Sequence, residues 1–384
     1  MTAPTAERTW EGTGVDMTDV SGHLADLWSQ VSNKNGVGAV RTHTSNLVVY
    51  AGEPDEAKDL EELLRQLAER HPSRTVMVIS DRQHPTPSVD ARADVYCQQV
   101  PSLNAPLCHE QVIVTAHGRA ADHPASIVSP LLLPELPTSL WWPGQPLFGH
   151  RVFHRLLELA SELIVDSGQF NSPGDGFASI SRILRSGMRV KDLNWVRLSP
   201  WRDIVAGFFD GQVWAPYAYG IRSIRVTFGS GKDASAYITA GTLLLLGWIG
   251  CRLEWQPDTT LERPIRGSIA MSVLQGERLI PIDLGFEDRG SEVRGRLTGI
   301  EVISQPKGLP PARFRVERTD DARHARATST IHDGAESSRV VQIEMLSEGD
   351  LLAMQLDVTD TQDLYDEAAA LAARLAGREL WLGM

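Results

Sequence analysis

Cysteine is scarce: Cys97, Cys108 and Cys251 are the only three in 384 residues. That is too few to staple a chain of this length as a disulfide scaffold. A basic excess is also missing, since 37 Lys and Arg stand against 49 Asp and Glu, a formal net charge of −12. Such a field repels nucleic-acid backbones and anionic membrane surfaces, so neither is expected as the main partner. Long apolar runs are absent as well. The longest, from Ala240 to Cys251, is interrupted by Thr242, Gly247 and Gly250. Spanning a bilayer takes about twenty apolar residues, so this run reads as a buried helix. Met1 to Asp16 is polar, of mixed charge and without the apolar core of a secretory signal. The chain reads as cytoplasmic, and it shows no internal repeat.

What is present is ordinary globular composition, 42% hydrophobic and 22% charged. At about 150 residues per domain the length predicts two domains, with three as the upper bound. After a flexible lead over 1–16, the spacing predicts a helix over Ser21–Val31, with Leu24, Leu27, Trp28 and Val31 on one face. Leu47-Val48-Val49-Tyr50 is a short strand run, and Asp55–Arg70 carries the stripe Leu60, Leu63, Leu64, Leu67 of an amphipathic helix. Thr75–Ile79 is the next strand, so strand, helix and strand follow within a crossover unit of a parallel sheet. Strands at 112–114, 138–142 and 163–166 alternate with helices at 124–133, which Pro130 disturbs, and at 152–163 and 177–184. Consecutive apolar residues within the strands imply a sheet covered on both faces. Residues 17–210 therefore read as an α/β domain with a mainly parallel Rossmann-like sheet. A Gly, Pro and aromatic-rich hinge over 211–220 follows. Residues 221–384 read as an α+β domain with a mainly antiparallel sheet, containing a helix over 233–253 and a last one over 364–375.

Motifs for chemistry are weak. A dinucleotide fingerprint places three glycines in the first strand-to-helix turn, where the backbone approaches the pyrophosphate. Here that turn is Ala51-Gly52-Glu53-Pro54-Asp55, with one glycine and two acids, which repel a phosphate. Gly229-Ser230-Gly231-Lys232-Asp233 is loosely similar to a phosphate-binding loop, but Val226 stands at the leading glycine and Asp233 at the magnesium-ligating hydroxyl. Val165-Asp166-Ser167-Gly168 lacks the glycine before the serine of a nucleophile elbow. Cys97, Cys108 and His109, with His117 and His123 beyond, lack the paired spacing of a zinc site. His150 and His154 are followed and separated by Arg151, Val152 and Phe153, not by the glutamate a metalloprotease helix needs. Neither a catalytic residue, a metal site nor a cofactor site is expected.

One feature stands out positively. Arg182, Arg185, Arg189, Lys191, Arg197 and Arg202 fall in a short stretch against Asp192, with Trp195 and Trp201 inside it. Tryptophan and arginine are enriched at interface hot spots. Arg189, Trp195, Arg197, Trp201 and Arg202 are thus candidate partner-binding residues, joined by Trp142 of the Trp141-Trp142 pair at a strand end. The other reading of the same residues is that the tryptophans pack inside while the arginines snorkel or pair internally.

The segments His71-Pro72-Ser73-Arg74, Asp122-His123-Pro124-Ala125-Ser126-Ile127-Val128 through Leu131–Pro137 to Trp141-Trp142-Pro143, and Asp192-Leu193-Asn194-Trp195-Val196-Arg197 to Trp201-Arg202 occur in this order. In that order they resemble the OpcA family, the glucose-6-phosphate dehydrogenase assembly proteins of cyanobacteria and actinobacteria, with the length and lead of the cyanobacterial type. The resemblance implies a non-catalytic protein that binds glucose-6-phosphate dehydrogenase and favours its active oligomer. It would thereby open the oxidative pentose phosphate route to NADPH. It also implies thioredoxin control through late cysteines, but no cysteine follows Cys251. Cys97 and Cys108 are the candidate redox pair instead, provided the fold brings their Cα atoms within about 7 Å. The competing expectation is a Rossmann-like enzyme or sensor acting on a sugar phosphate or nucleotide-sugar.

Overall fold

The computed structural model describes residues 8–34, 40–41, 43–98, 106–230, 239–262, 269–288, 293, 295–331, 334–343, 345–358 and 363–377. The chain divides into two compact units whose boundaries cross the sequence several times. One takes the chain up to residue 166 with Met188–Lys191 and the helix Glu348–Asp357; the other takes Ser167–Gly187, Asp192–Ser347 and the helix Asp363–Leu375.

The first unit is built on a nine-stranded sheet. Its strands are β1 (Arg8–Gly12), β2 (Val40–Arg41), β3 (Asn46–Ala51), β4 (Arg74–Asp81), β5 (Ser88–Gln98), β6 (Leu107–His117), β7 (Thr138–Trp142), β8 (Glu162–Val165) and β9 (Arg189–Asp192). The order is β1-β5-β6-β4-β3-β7-β8-β9, with β2 on β6. The run from β6 to β9 reproduces the classic doubly wound order, and the β6–β4, β4–β3, β3–β7 and β7–β8 pairs are all parallel. The expected Rossmann-like sheet is present, and every residue of β3 and β7 is buried, as consecutive apolar positions require. The helix after β3, Pro54–Ala68, starts on Pro54, whose missing N–H costs nothing at a first helical turn. It buries Ala57, Leu60, Leu64 and Leu67.

Several expectations need amending. Arg8–Gly12 lies within the stretch expected as a flexible lead, yet it pairs antiparallel with β5. The periodicity reading passes over β5 altogether. Its Val89, Ala91, Ala93, Val95 and Cys97 alternate with polar residues, and it pairs antiparallel with the whole of β6, lying between β6 and the outer strand β1. The helix expected over 124–133 stops at Val128 and gives way to a tight turn at Ser129–Leu131, because Pro130 cannot continue the ladder. The one expected over 152–163 is Arg151–Leu157.

The second unit carries an eight-stranded sheet of β10 (Ile221–Ser230), β11 (Gln256–Glu262), β12 (Ile269–Gln275), β13 (Arg278–Asp288), β14 (Leu297–Ser304), β15 (Ala312–Arg318), β16 (His324–Ile331) and β17 (Ala335–Gln342). Its order is β11-β12-β13-β10-β14-β15-β16-β17. All its pairs are antiparallel except β10 with β13. This is the expected mainly antiparallel sheet. Along β15, Ala312, Phe314 and Val316 are buried while Arg313 and Arg315 are exposed, the alternation of a sheet with one covered face. The apolar run forms the helix Ala240–Arg252; residues 231–238, with the loop-like Gly231-Lys232-Asp233, lie outside the described residues. Leu243 to Leu246 are wholly buried, because this helix packs against Asp363–Leu375. The approach is close enough that a Cβ at Gly247 would strike the Ala368 carbonyl. Within 211–220, Ala215–Ala218 is a single helical turn pinned to the sheet: Tyr217 is buried, and Ser304 Oγ donates to its carbonyl at 2.6 Å.

Candidate functional site

Most of the basic, aromatic stretch is turned inward. Within it Asp192 is fully buried, and its Oδ1 accepts the N–H groups of Asn194 and Ser167, both at 2.9 Å. This caps the short helix Leu193–Arg197, while the Tyr365 hydroxyl donates to Oδ2 at 3.3 Å. Burial, and then the Asp192 charge, push the Tyr365 phenol well above its ordinary pKa. Trp195 and Trp201 are buried, the first edge-on to Tyr365 with ring centroids 5.7 Å apart. Arg202 lies flat over the Trp195 ring, 3.4 Å from its centroid. It also donates to the Trp195 carbonyl at 2.7 Å and to Ser199 Oγ at 2.9 Å. Burial lowers its pKa to about 10. Arg197 donates to Asn194 Oδ1 at 3.0 Å.

In the first unit, Lys191 is buried against Glu162 at 3.2 Å, and the exposed Arg189 reaches the same carboxylate at 3.4 Å. Trp142 is 2% exposed. The tryptophans proposed for docking are therefore fold-building residues, because rings of that size find more buried area inside than on the surface. Of this stretch, the arginines that are exposed are Arg182 and Arg185, on the last turn of the helix Pro173–Arg185, and Arg189, while Arg197 and Arg202 are half-buried.

The doubly wound order places its switch point between β3 and β7, where a dinucleotide would lie. That place is filled. Tyr50, near the end of β3, stacks on Trp142, at the end of β7, with centroids 4.1 Å apart and planes 24° from parallel; both are buried. Phe153 closes the edge of Trp142 at 5.2 Å. At the following helix N-terminus, the Gly52 N–H that would meet a phosphate donates instead to the Glu56 carboxylate, at 3.1 Å. Pro54 supplies no N–H, and Asp55 and Glu56 set negative charge in the first turn. These residues do not fit a dinucleotide.

The remaining candidates also have structural partners. Ser167 is wholly buried and its Oγ accepts from Asn194 Nδ2 at 3.0 Å, an amide and not a general base. His150 caps the Arg151–Leu157 helix by accepting the Val152 N–H. His117 sits between Asp81 at 2.9 Å and Asp90 at 3.2 Å, tying β6 to β4 and β5. His109 is buried, and desolvation followed by nearby His43 lowers its pKa to about 4. Among the described residues no group of three His, Cys, Asp or Glu side chains is arranged to hold a metal ion. Cys97 and Cys108 are direct cross-strand partners on β5 and β6 and form a disulfide, Cα to Cα 4.1 Å. The distance condition set for that pair is met. Cys251 is a free thiol that burial raises to about 11.

Comparison with known proteins places these features in a family. Residues 64–182 match the model described as the glucose-6-phosphate dehydrogenase subunit N-terminal domain, and residues 188–369 the corresponding C-terminal domain. A putative OxPP cycle protein OpcA of Synechocystis is 28% identical over 294 residues, covering 74% of this chain and 59% of that protein. The Synechococcus elongatus protein of the same name is 26% identical over 317 residues, covering 80% and 68%. In Nostoc punctiforme the figures are 31% over 170 residues, 44% and 35%. The chain thus spans about three fifths of the first of these relatives. Among solved structures, the 3-ketoreductase KijD10 of Actinomadura kijaniata superposes with a TM-score of 0.49 at 10% identity, over 88% of this chain and 98% of its own. With the two family domains matched in order over most of its length, and with the ordered motifs from His71 to Arg202 falling within them, this chain belongs to the OpcA family of glucose-6-phosphate dehydrogenase assembly proteins.

Proposed function

We propose that the chain is a non-catalytic, cytoplasmic assembly factor and allosteric activator of glucose-6-phosphate dehydrogenase. It binds the dehydrogenase and favours its active oligomer, promoting the oxidative pentose phosphate pathway and its supply of NADPH. The observation that carries this reading is the match of two consecutive family domains, both described as parts of a dehydrogenase subunit. The aromatic stack at the switch point supports it, since the place where this topology holds a redox cofactor is occupied by Tyr50 and Trp142. No helix among the described residues is long and apolar enough to cross a membrane, which agrees with the cytoplasmic assignment.

An activator must bind the active state more tightly than the inactive one, because equal affinity shifts nothing. A tenfold shift in population needs about 1.4 kcal/mol of preference. Within the candidate stretch, Arg182 and Arg185 are the exposed cations we assign to docking on an acidic patch. The test is dehydrogenase kinetics at fixed enzyme and varied glucose 6-phosphate, with and without this chain. Activation should be weakened by Arg182→Glu with Arg185→Glu while circular dichroism stays native. Unchanged activation by that variant would exclude these arginines. Turnover of a metabolite by the purified chain alone, or failure to co-elute with the dehydrogenase, would end the reading itself.

A further inference from the structure

The second unit contains a cleft of about 280 Å³ at the β12–β13 turn, lined by none of the residues assigned to docking. The turn passes through Gly276, with φ at +61°, and brings Gln275 and Arg278 to one wall. The opposite wall is the end of the helix Ala240–Arg252, where Arg252 is followed by Leu253 and Glu254. Glu254 holds φ at +55°, the left-handed region usually left to glycine at such a helix end. A glutamate kept there carries backbone strain that a glycine would relieve, and strain of this kind concentrates at binding sites.

The chemistry of the walls is specific. Arg278 is anchored by donating Nη1 to the Tyr219 carbonyl at 2.6 Å, which fixes its guanidinium at the rim. Arg252 adds a second guanidinium from an exposed helix end. Two forked cations on one cleft, in a chain of net charge −12, select a phosphate-like anion, which guanidinium groups bind through paired N–H donors. Gln275 Nε2 donates to the Leu253 carbonyl at 3.5 Å, but its buried Oε1 has no partner. The half-buried Gln275 side chain nevertheless lines the cleft, where its amide is a polar partner for a ligand hydroxyl. The Glu254 carboxylate is a further acceptor, and Tyr219, 66% exposed, offers an aromatic face.

We propose that this cleft binds a phosphorylated sugar, its phosphate on Arg252 and Arg278 and its hydroxyls on Gln275 and Glu254. The volume lies at the small end of ligand pockets, which suits a single sugar phosphate and is too small for a dinucleotide. Inorganic phosphate would engage the arginines but lacks the sugar hydroxyls that reach Gln275 and Glu254. The site stands independently of whether the chain activates a dehydrogenase.

Isothermal titration of the full chain without any partner tests it, with glucose 6-phosphate as probe and glucose and inorganic phosphate as controls. Glucose 6-phosphate should bind at least about tenfold more tightly than either control. Arg278→Ala and Arg252→Ala should each weaken it by about fivefold or more. Gln275→Leu should weaken glucose 6-phosphate and leave inorganic phosphate unchanged. Absence of heat at about 10 mM, equal affinity for inorganic phosphate, or unchanged binding in both arginine variants would overturn the proposal. If Arg278→Ala loses its native circular dichroism, Arg252→Ala, on the exposed helix end, decides alone. Co-elution with the dehydrogenase is measured separately, so failure here and failure of the activator reading cannot be confused.

Discussion

Arg202 shows how a charged side chain can be part of a core. Its guanidinium stacks on Trp195 and donates to the Trp195 carbonyl and Ser199 Oγ. Replacing it with alanine removes the stacking and leaves a buried carbonyl unpaired, so Arg202→Ala should destabilise the fold by about 2 kcal/mol in urea titration. Arg182→Ala, exposed on its helix, should change stability by less than about 0.5 kcal/mol. His109 makes a second prediction at this scale. Its pKa falls from 6.5 unfolded to about 4 in the fold, chiefly through burial. The folded state therefore binds fewer protons in that interval. The stability His109 contributes is fully present above about pH 6.5 and is lost as pH falls through about 4. Compared with His109→Gln, the native chain should lose roughly 3 kcal/mol more across that window, measured by denaturant titration at each pH. A parallel pH dependence in the two proteins would refute this.

Between elements, the decisive pairings are those of β5 and helix Asp363–Leu375. β5 is joined to β6 along its whole length and by the Cys97–Cys108 disulfide, across a sequence separation of 11. Closing a loop of that size in the unfolded chain stabilises the fold by about 3 kcal/mol on chain-entropy grounds. Reduction with dithiothreitol, or Cys97→Ser with Cys108→Ser, should lower the unfolding midpoint accordingly, and the Cys251→Ser control should not. A reduced chain as stable as the oxidised one would remove any case for a redox role of this pair. The strand Ser88–Gln98 escapes the sequence reading, because two of its inward positions are alanines set among charges, and its partner is hidden because antiparallel pairing joins residues by register and not by local pattern. Likewise Pro130 announces a break in helix 124–133, but only packing decides that the chain continues as a tight turn.

For the whole molecule, the charge balance sets how a protein partner can approach. A chain of net charge −12 meeting an acidic surface through exposed arginines associates against its own field, and salt screens both terms. If Arg182 and Arg185 dock the dehydrogenase, raising ionic strength from about 0.05 to 0.5 M should weaken complex formation in the native chain. The Arg182→Glu, Arg185→Glu variant should lose that dependence. Sedimentation of the mixed proteins at both salt concentrations reads this directly. A native complex indifferent to salt would move the interface to apolar surface.

Composition and local pattern determined much by themselves. Consecutive apolar residues at 47–50, 76–79 and 140–142 require a sheet covered on both faces, and the acids at 53 and 55 repel a phosphate at the first turn. The three ordered motifs also carried the family. What tertiary structure alone decided is which side of each surface a large side chain faces. Tyr50 and Trp142 meet because β3 and β7 are adjacent in the sheet, although 92 residues separate them in the chain. Trp195 and Trp201 have the composition of an interface but the burial of a core. A hydrophobic ring gains free energy in proportion to the area taken from water. Whether a neighbour in the fold or a partner protein covers that area is a matter of topology, which no local stretch of sequence records.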